Sequence, residues 1–325
     1  MKSLAVAAAL AATSLLYVAD ADADAERDAV EWLERIYSAS ERLSYLGTFV
    51  YQHDEEVETS RITRVVDASG VRERLEALDG TPREIIRVND ELKCYLPATM
   101  TVKVERGGGA KPFPFRRADV TVIGERYDVR KGGMERIAGR DCQAIILVPN
   151  DNLRYGHKLC ADVESGLLVA AKAFDGRGKM VERFSFTQLS IGEPIDRELL
   201  RPRYASERSG WRIEDHAAAA VELEELGWSI SELPPGFRRV TTLRRDLGGG
   251  RAVGHIVVSD GWAAVSVFIE PLALRAQLPQ LGLSRQGAVN VFSRKLDEHL
   301  VTAVGEVPGE SVRLIAGAIA RPAPR

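Results

Sequence analysis

The side chains that could carry out catalysis or hold a metal are present in this chain, but their spacing matches no such site. The histidines lack the i, i+2 or i, i+4 partners of a metal-ligand pair: His53, His157, His216, His255 and His299. The carboxylates are scattered, mostly beside arginines, as in VRERLE. The sequence contains no HExxH motif, no GxSxG motif and no Walker loop. We therefore predict a binding protein that is not an enzyme and uses no metal or cofactor.

The three cysteines point to a structural role rather than to thiol chemistry. They are Cys94, Cys142 and Cys160, and no CxxC motif is present. Cys142 and Cys160 flank the hairpin pattern CQAIILVPNDNLRYGHKLC. A turn centred on Asp151 would place them opposite each other, either as a disulfide or as two small buried residues.

One short stretch, YLGTFVYQ, concentrates aromatic rings on a single face of a strand. Because side chains alternate along a strand, Tyr45, Phe49 and Tyr51 point the same way. A curved antiparallel sheet can enclose an apolar cavity, so the rings are candidates for lipid binding. The alternative is an ordinary core covered by the preceding helix.

Arginines follow the same alternation on the next strands. Two interpretations stand side by side: a solvated ladder of ion pairs, or a cationic rim for an anionic headgroup or an acidic peptide. The predicted rim or partner-binding surface comprises Arg61, Arg72, Arg74, Trp262 and Phe268.

The elements that position these residues form a helix followed by many short strands. Helical spacing predicts a helix over Glu26–Leu43, and alternation then predicts about ten strands, enough for the sheet to curl. Their short connections require antiparallel pairing. A basic loop, TMTVKVERGGGAKPFPFRRADV, which contains the glycine triplet Gly107–Gly109, is predicted to interrupt the strands and cannot be a central strand.

The amino terminus predicts export. Lys2, the apolar run Leu4–Val18 and the small residues of ADADADAE are typical of a secretory signal peptide. The run is short for a membrane-spanning helix, which needs about 20 apolar residues, although an uncleaved anchor is the alternative. A formal net charge of −3 gives no sign of the excess of basic residues that nucleic-acid binding requires.

The remaining chain is long enough for two domains. The later part carries strand patterns, a tight turn at SDGW and a predicted terminal helix with an apolar stripe that includes Val312, Ile315 and Ile319. The predicted division is a signal peptide at 1–25, a half-barrel domain at 26–203, a linker at 204–226 and a small α+β domain at 227–322.

Several long stretches resemble the RseB/MucB family. WLERIYSASERLSYLGTFVYQ opens the resemblance, and ELPPGFRRV, VVSDGWAAVSVFIEPL and GAVNVFSRKLDEHLVTAVGEVP continue it in order. The resemblance implies a mainly β fold with some α: an unclosed antiparallel β-barrel with helices, similar to the carriers LolA and LolB, and a smaller antiparallel sheet packed with a helix.

The resemblance also implies a function. Proteins of this family are periplasmic negative regulators of the sigma-E envelope stress response. They bind the periplasmic segment of an anti-sigma factor, RseA or MucA, and shield it from the site-1 protease, and lipid or lipopolysaccharide is thought to release it. The glycine triplet departs from the family in a variable loop.

Two other functions compete with this one: a LolA-like carrier of lipids or lipoproteins, and a structural envelope protein with a filled barrel. The sequence leaves open the identity of the lipid, the contact residues, the role of Cys94 and the number of copies, a homo-oligomer included.

Overall fold

A computed structural model describes residues 27–106, 120–204, 210–216, 218–246, 252–275, 277 and 279–322 of the chain. The predicted signal peptide and the Gly107–Gly109 loop lie outside these residues. Helix α1 spans residues 27–42, and it buries Leu33 and Ile36 in the core, as their helical spacing predicts. None of the described helices has both the length and the apolar composition that a membrane crossing requires.

The first sheet has twelve strands, and their order shows two edges. Its spatial order is β12-β6-β5-β4-β3-β2-β1-β11-β10-β9-β8-β7, so β12 and β7 form two edges and the described sheet is not closed. All neighbours pair antiparallel except β12 and β6, which are parallel. Helix α2 covers Val120–Arg126. The strands are β1 (Tyr45–His53), β2 (Glu56–Asp67), β3 (Gly70–Ala77), β4 (Glu84–Val88), β5 (Glu91–Leu96), β6 (Thr101–Arg106), β7 (Tyr127–Ile137), β8 (Arg140–Pro149), β9 (Gly156–Asp162), β10 (Leu168–Phe174), β11 (Met180–Ile191) and β12 (Arg212–His216).

The second sheet has seven antiparallel strands and a helix on one face. Its order is β13-β15-β16-β17-β20-β19-β18, and a separate pair joins β14 (Ser229–Ile230) to β21 (Ile319–Ala320). Helix α3 (Gly309–Gly317) buries Val312 and Ile315 against this sheet. The other strands are β13 (Ala218–Ala220), β15 (Arg238–Asp246), β16 (Ala252–Ser259), β17 (Ala264–Pro271), β18 (Gly282–Gln286), β19 (Val289–Leu296) and β20 (His299–Gly305).

These two sheets confirm the mainly β, α+β architecture, with three local differences. The predicted basic loop is wrong at residues 101–106, which form β6 between β12 and β5 because Val102 and Val104 alternate with polar residues and are buried. The predicted terminal stripe is wrong at Ile319, which lies in β21 because α3 ends at Gly317. Between 204 and 226 the structure contains strands: β12 extends the first sheet and β13 the second. Ile213 on edge strand β12 is 59% exposed. The alternation of apolar and polar residues that predicts a half-buried strand is therefore weak there.

Candidate functional site

The aromatic face of β1 is part of a filled core. Tyr45 and Phe49 are almost fully buried, and Phe49 makes edge-to-face contacts with Phe184 and Phe186 at 5.1 and 5.9 Å between ring centroids. Helix α1 contributes to the same core. A lipid that touched these rings would have to displace neighbouring side chains, so their lipid-binding role stays a prediction.

Tyr51 differs from the other two rings because its hydroxyl takes part in a polar contact. The phenol donates a hydrogen bond of 2.5 Å to Oε2 of Glu182, and both groups are partly buried. Burial, followed by the neighbouring Glu182 carboxylate, raises the pKa of Tyr51, and burial also raises the pKa of Glu182. The three predicted lipid-binding residues therefore share a face of the strand but not one environment.

The predicted arginine surface lies on the opposite face of the first sheet, and much of it is already engaged. Nε of Arg74 is 2.5 Å from Glu84, whose carboxylate also accepts the backbone N–H of Arg203 at 2.9 Å. Arg74 further donates to the carbonyl of Leu199. These bonds fasten the segment after β11 onto β3 and β4, so Arg74 serves the fold.

The other residues of that predicted surface are dispersed. Arg61 is half exposed and lies 3.9 Å from Glu76, while Arg72 stands opposite Val65 and Val88 in the strand register. The remaining two lie in the second half of the chain, one in the turn between β16 and β17 and the other on β17. Trp262 lies 5.1 Å from the ring of His157, and Phe268 stacks on His255 at 4.5 Å. The structure does not bring these five residues together, and their binding role stays a prediction.

A buried arginine joins the two sheets. Arg154, in the loop between β8 and β9, donates from Nε to Asp260 at 2.6 Å and from Nη1 to Asp151 at 2.5 Å. Nη2 donates to the carbonyl of Pro235 at 2.7 Å, and the guanidinium lies 4.9 Å from the ring centroid of Phe237. Asp260 also accepts the backbone N–H groups of Trp262 and Ala263. Both side chains of this ion pair are fully buried, so the loss of either partner would destabilise the protein.

Further contacts extend this junction, which we define as the contact between the β8–β9 loop and the second sheet. The hydroxyl of Ser311 donates to the carbonyl of Leu153 at 2.6 Å, and the amide of Asn290 donates to the hydroxyl of Tyr155 at 2.9 Å. Both bonds are buried. Gly236 has a φ of +83°, and a Cβ there would lie 2.7 Å from the guanidinium of Arg154. The junction is therefore both polar and closely packed.

Sequence reasoning missed this junction. Asp151 and Arg154 stand three positions apart in NDNLRYG, which suggests only a local ion pair. Asp260 is 106 residues further along the chain, and the tight turn around it gives no sign of a distant partner.

The structure contains a disulfide between Cys142 and Cys160, with the Cα atoms 5.5 Å apart. The two residues are not directly opposite, because Cys142 faces Asp162 and Cys160 faces Ala144. This register is centred on Asn152, one residue beyond the predicted Asp151. Cys94 is a free, half-buried cysteine on β5.

Comparison with protein families covers both halves of the chain. The model of the MucB/RseB N-terminal domain matches residues 28–204, and that of the MucB/RseB C-terminal domain matches residues 222–320. The chain belongs to the MucB/RseB family. Among the relatives of this MucB/RseB protein, the sigma factor AlgU regulatory protein MucB of Pseudomonas aeruginosa is 32% identical over 86% of this chain and 87% of its own. The sigma-E factor regulatory protein RseB of Escherichia coli K12 is 25% identical over 97% of each chain.

Solved structures of MucB match this family member along most of its length. Crystalline MucB in complex with MucA(peri) is 30% identical, with a TM-score of 0.68, over 91% of this chain and all of that one. A MucA/MucB complex from Pseudomonas aeruginosa gives 29% identity and a TM-score of 0.70 over the same shares. The similarity thus extends over both sheets.

Proposed function

We propose that this protein is a periplasmic negative regulator of a sigma-E-type envelope stress response. In this proposal it binds the periplasmic segment of an anti-sigma factor of the RseA/MucA kind and protects that segment from the site-1 protease. The observation that carries the proposal is the match, over 91% of the chain, to MucB in complex with MucA(peri). The shared organisation of both halves supports binding rather than catalysis.

We further propose that a lipid or lipopolysaccharide releases the anti-sigma factor. A ligand can do so only if it favours a conformation that binds the partner less well, or if it occupies the same surface. The junction is a suitable element for the first route, because a change in the angle between the sheets would have to separate Arg154 from Asp260. The aromatic face of β1 is the proposed lipid contact, and α1 is the element that a lipid would displace.

The decisive experiment combines the mature protein with the periplasmic segment of a MucA-like protein and the site-1 protease. We expect the protein to slow cleavage of the segment, and lipopolysaccharide to restore the cleavage rate. Unchanged cleavage in the presence of the protein, together with no detectable binding of the segment, would refute the proposal.

A matched pair of variants tests whether the arrangement of the sheets matters. Gly287 has a φ of +61°, and a Cβ there would lie 2.7 Å from the ring of His53 in the first sheet. Gly139 also has a left-handed backbone, at +78°, but faces open space. Substitution by alanine causes backbone strain at both positions, but only Gly287→Ala also disturbs the contact between the sheets. We therefore expect only Gly287→Ala to shorten the time for which the segment resists the protease. Equal protection by both variants would show that this contact is unnecessary.

A carrier of the LolA type remains the second candidate, supported by the aromatic face of β1. Deletion of everything after Arg203 does not separate it cleanly from the regulator, because β12 completes the first sheet and Tyr204 and Trp211 pack against its strands. Full-length variants are therefore the better test. A carrier would transfer lipid between membranes with unchanged efficiency in Gly287→Ala.

A further inference from the structure

Three cations occupy one row across neighbouring strands of the first sheet. Lys158 on β9 stands directly opposite Lys172 on β10, and Lys172 stands directly opposite Arg183 on β11. Because strand residues alternate between faces, this row points away from the face that carries Phe184. Like charges placed directly opposite one another in a sheet destabilise it. A negative charge near the row would therefore stabilise the sheet.

The protein supplies only part of that negative charge. Glu135 on β7 forms an ion pair with Lys158. Within the described residues, the side chains of Lys172 and Arg183 form neither a hydrogen bond nor an ion pair. Three cations and one carboxylate leave a formal excess of two positive charges, which matches a phosphate dianion.

The row borders a groove rather than an open surface. The pairing register of β7 shifts between Lys131 and Met134, and Glu135 and Ile137 beyond this shift line the groove together with the three cations. Its volume is about 70 Å³. At roughly 10–15 Å³ for each enclosed water, that space holds a few heavy atoms. It fits one compact anionic group.

We propose that the groove between Glu135 and the Lys158–Lys172–Arg183 row is a binding site for a phosphate group, either free or carried by a lipid headgroup. Arg183 presents a planar guanidinium that can donate two bonds to phosphate oxygens, and the two ammonium groups add charge. Ser185 lines the same groove with a hydroxyl. The site is distinct from the junction and from the aromatic face of β1, and it does not depend on anti-sigma binding.

The test compares two double variants of the full mature chain. Lys172→Gln with Arg183→Gln removes the uncompensated charges of the row. Arg177→Gln with Lys179→Gln removes the same charge from the exposed turn of the same hairpin. Inorganic phosphate is titrated by calorimetry, and flotation measures binding to phosphatidylcholine vesicles with and without phosphatidic acid.

We expect the parent and the turn variant to bind phosphate equally, and the row variant to bind at least about tenfold more weakly, since charge-assisted hydrogen bonds are lost. Glu135→Gln should tighten binding by up to about fivefold, because it removes the competing carboxylate. Binding of inorganic phosphate identifies free phosphate as sufficient, while binding only to phosphatidic acid vesicles identifies a headgroup.

Two results would overturn the proposal. One is that the row variant and the turn variant bind both probes equally well. The other is that neither probe binds the parent, whereas the row variant loses binding of an anti-sigma segment, which would make the row a protein contact.

Discussion

Phe49 shows how burial decides between two interpretations of one residue. Its side chain is 4% exposed and contacts two other phenylalanine rings. We expect Phe49→Ala to lower the free energy of unfolding by about 3–5 kcal/mol, because the substitution leaves a cavity in a packed core. Urea unfolding measures this, and Val57→Ala, at a site 56% exposed, should stay within about 0.5 kcal/mol of the parent. A stable Phe49→Ala variant that has lost its response to lipid would instead favour a lipid-lined cavity.

His157 makes the stability of the protein depend on pH. The ring lies beside Trp262 and Tyr127, and burial lowers the pKa of His157 from 6.5 to about 4. Between these values the unfolded chain binds a proton that the folded protein does not, so stability is lost as the pH falls through this window. The loss is at most about 1.4 kcal/mol for each pH unit.

Urea unfolding at about pH 7 and about pH 5 tests this linkage. The parent should be less stable at the lower pH, and His157→Gln should show a smaller difference because its side chain does not titrate in this range. An identical pH dependence in both proteins would contradict the assignment to His157.

The helices and strands with strong patterns could be predicted closely from the sequence. The predicted first helix, 26–43, agrees with the observed 27–42, and alternation gives β1 almost to its end. Those patterns arise because each element has one buried face and one exposed face, so apolar residues recur at regular spacing in the sequence. Strand β12 lacks this regular spacing because it lies at an edge of the sheet. Its parallel pairing with β6 also joins segments far apart in the chain.

The candidate site could be predicted less well, for a related reason. The aromatic residues of β1 were identifiable because they are neighbours in sequence. The junction depends on Arg154 and Asp260, and the cation row depends on a register shared by three strands. Sequence patterns specify which face a residue occupies, but distant pairs arise only from the relative placement of complete elements.

At the scale of the whole molecule, the Arg154–Asp260 ion pair is a buried contact between the two sheets. Asp260→Asn keeps the shape and the turn bonds but removes the charge opposite a buried guanidinium. We expect it to lower the free energy of unfolding by about 1.5–3 kcal/mol, because the buried guanidinium loses one charge-assisted hydrogen bond but keeps its bond to Asp151. We also expect the parent to unfold in one transition and Asp260→Asn to unfold in two, one for each sheet.

An exposed ion pair provides the control for this variant. Asp297 lies 3.6 Å from Arg321, and both side chains are well exposed. Asp297→Asn should change the unfolding free energy by less than about 1 kcal/mol. If the two variants unfold at the same urea concentration, the buried pair does not hold the sheets together.

The path of the chain between the two sheets also bears on the order of folding. Strand β12 ends at His216 and β13 begins at Ala218, so a single residue separates the last strand of one sheet from the first strand of the other. The first sheet receives β12 only after the chain has grown about 110 residues beyond β6, its partner. A chain that emerges from its amino end therefore completes its first sheet at the moment when the second begins to form. Assembly of the second half thus starts from a point already anchored to the first.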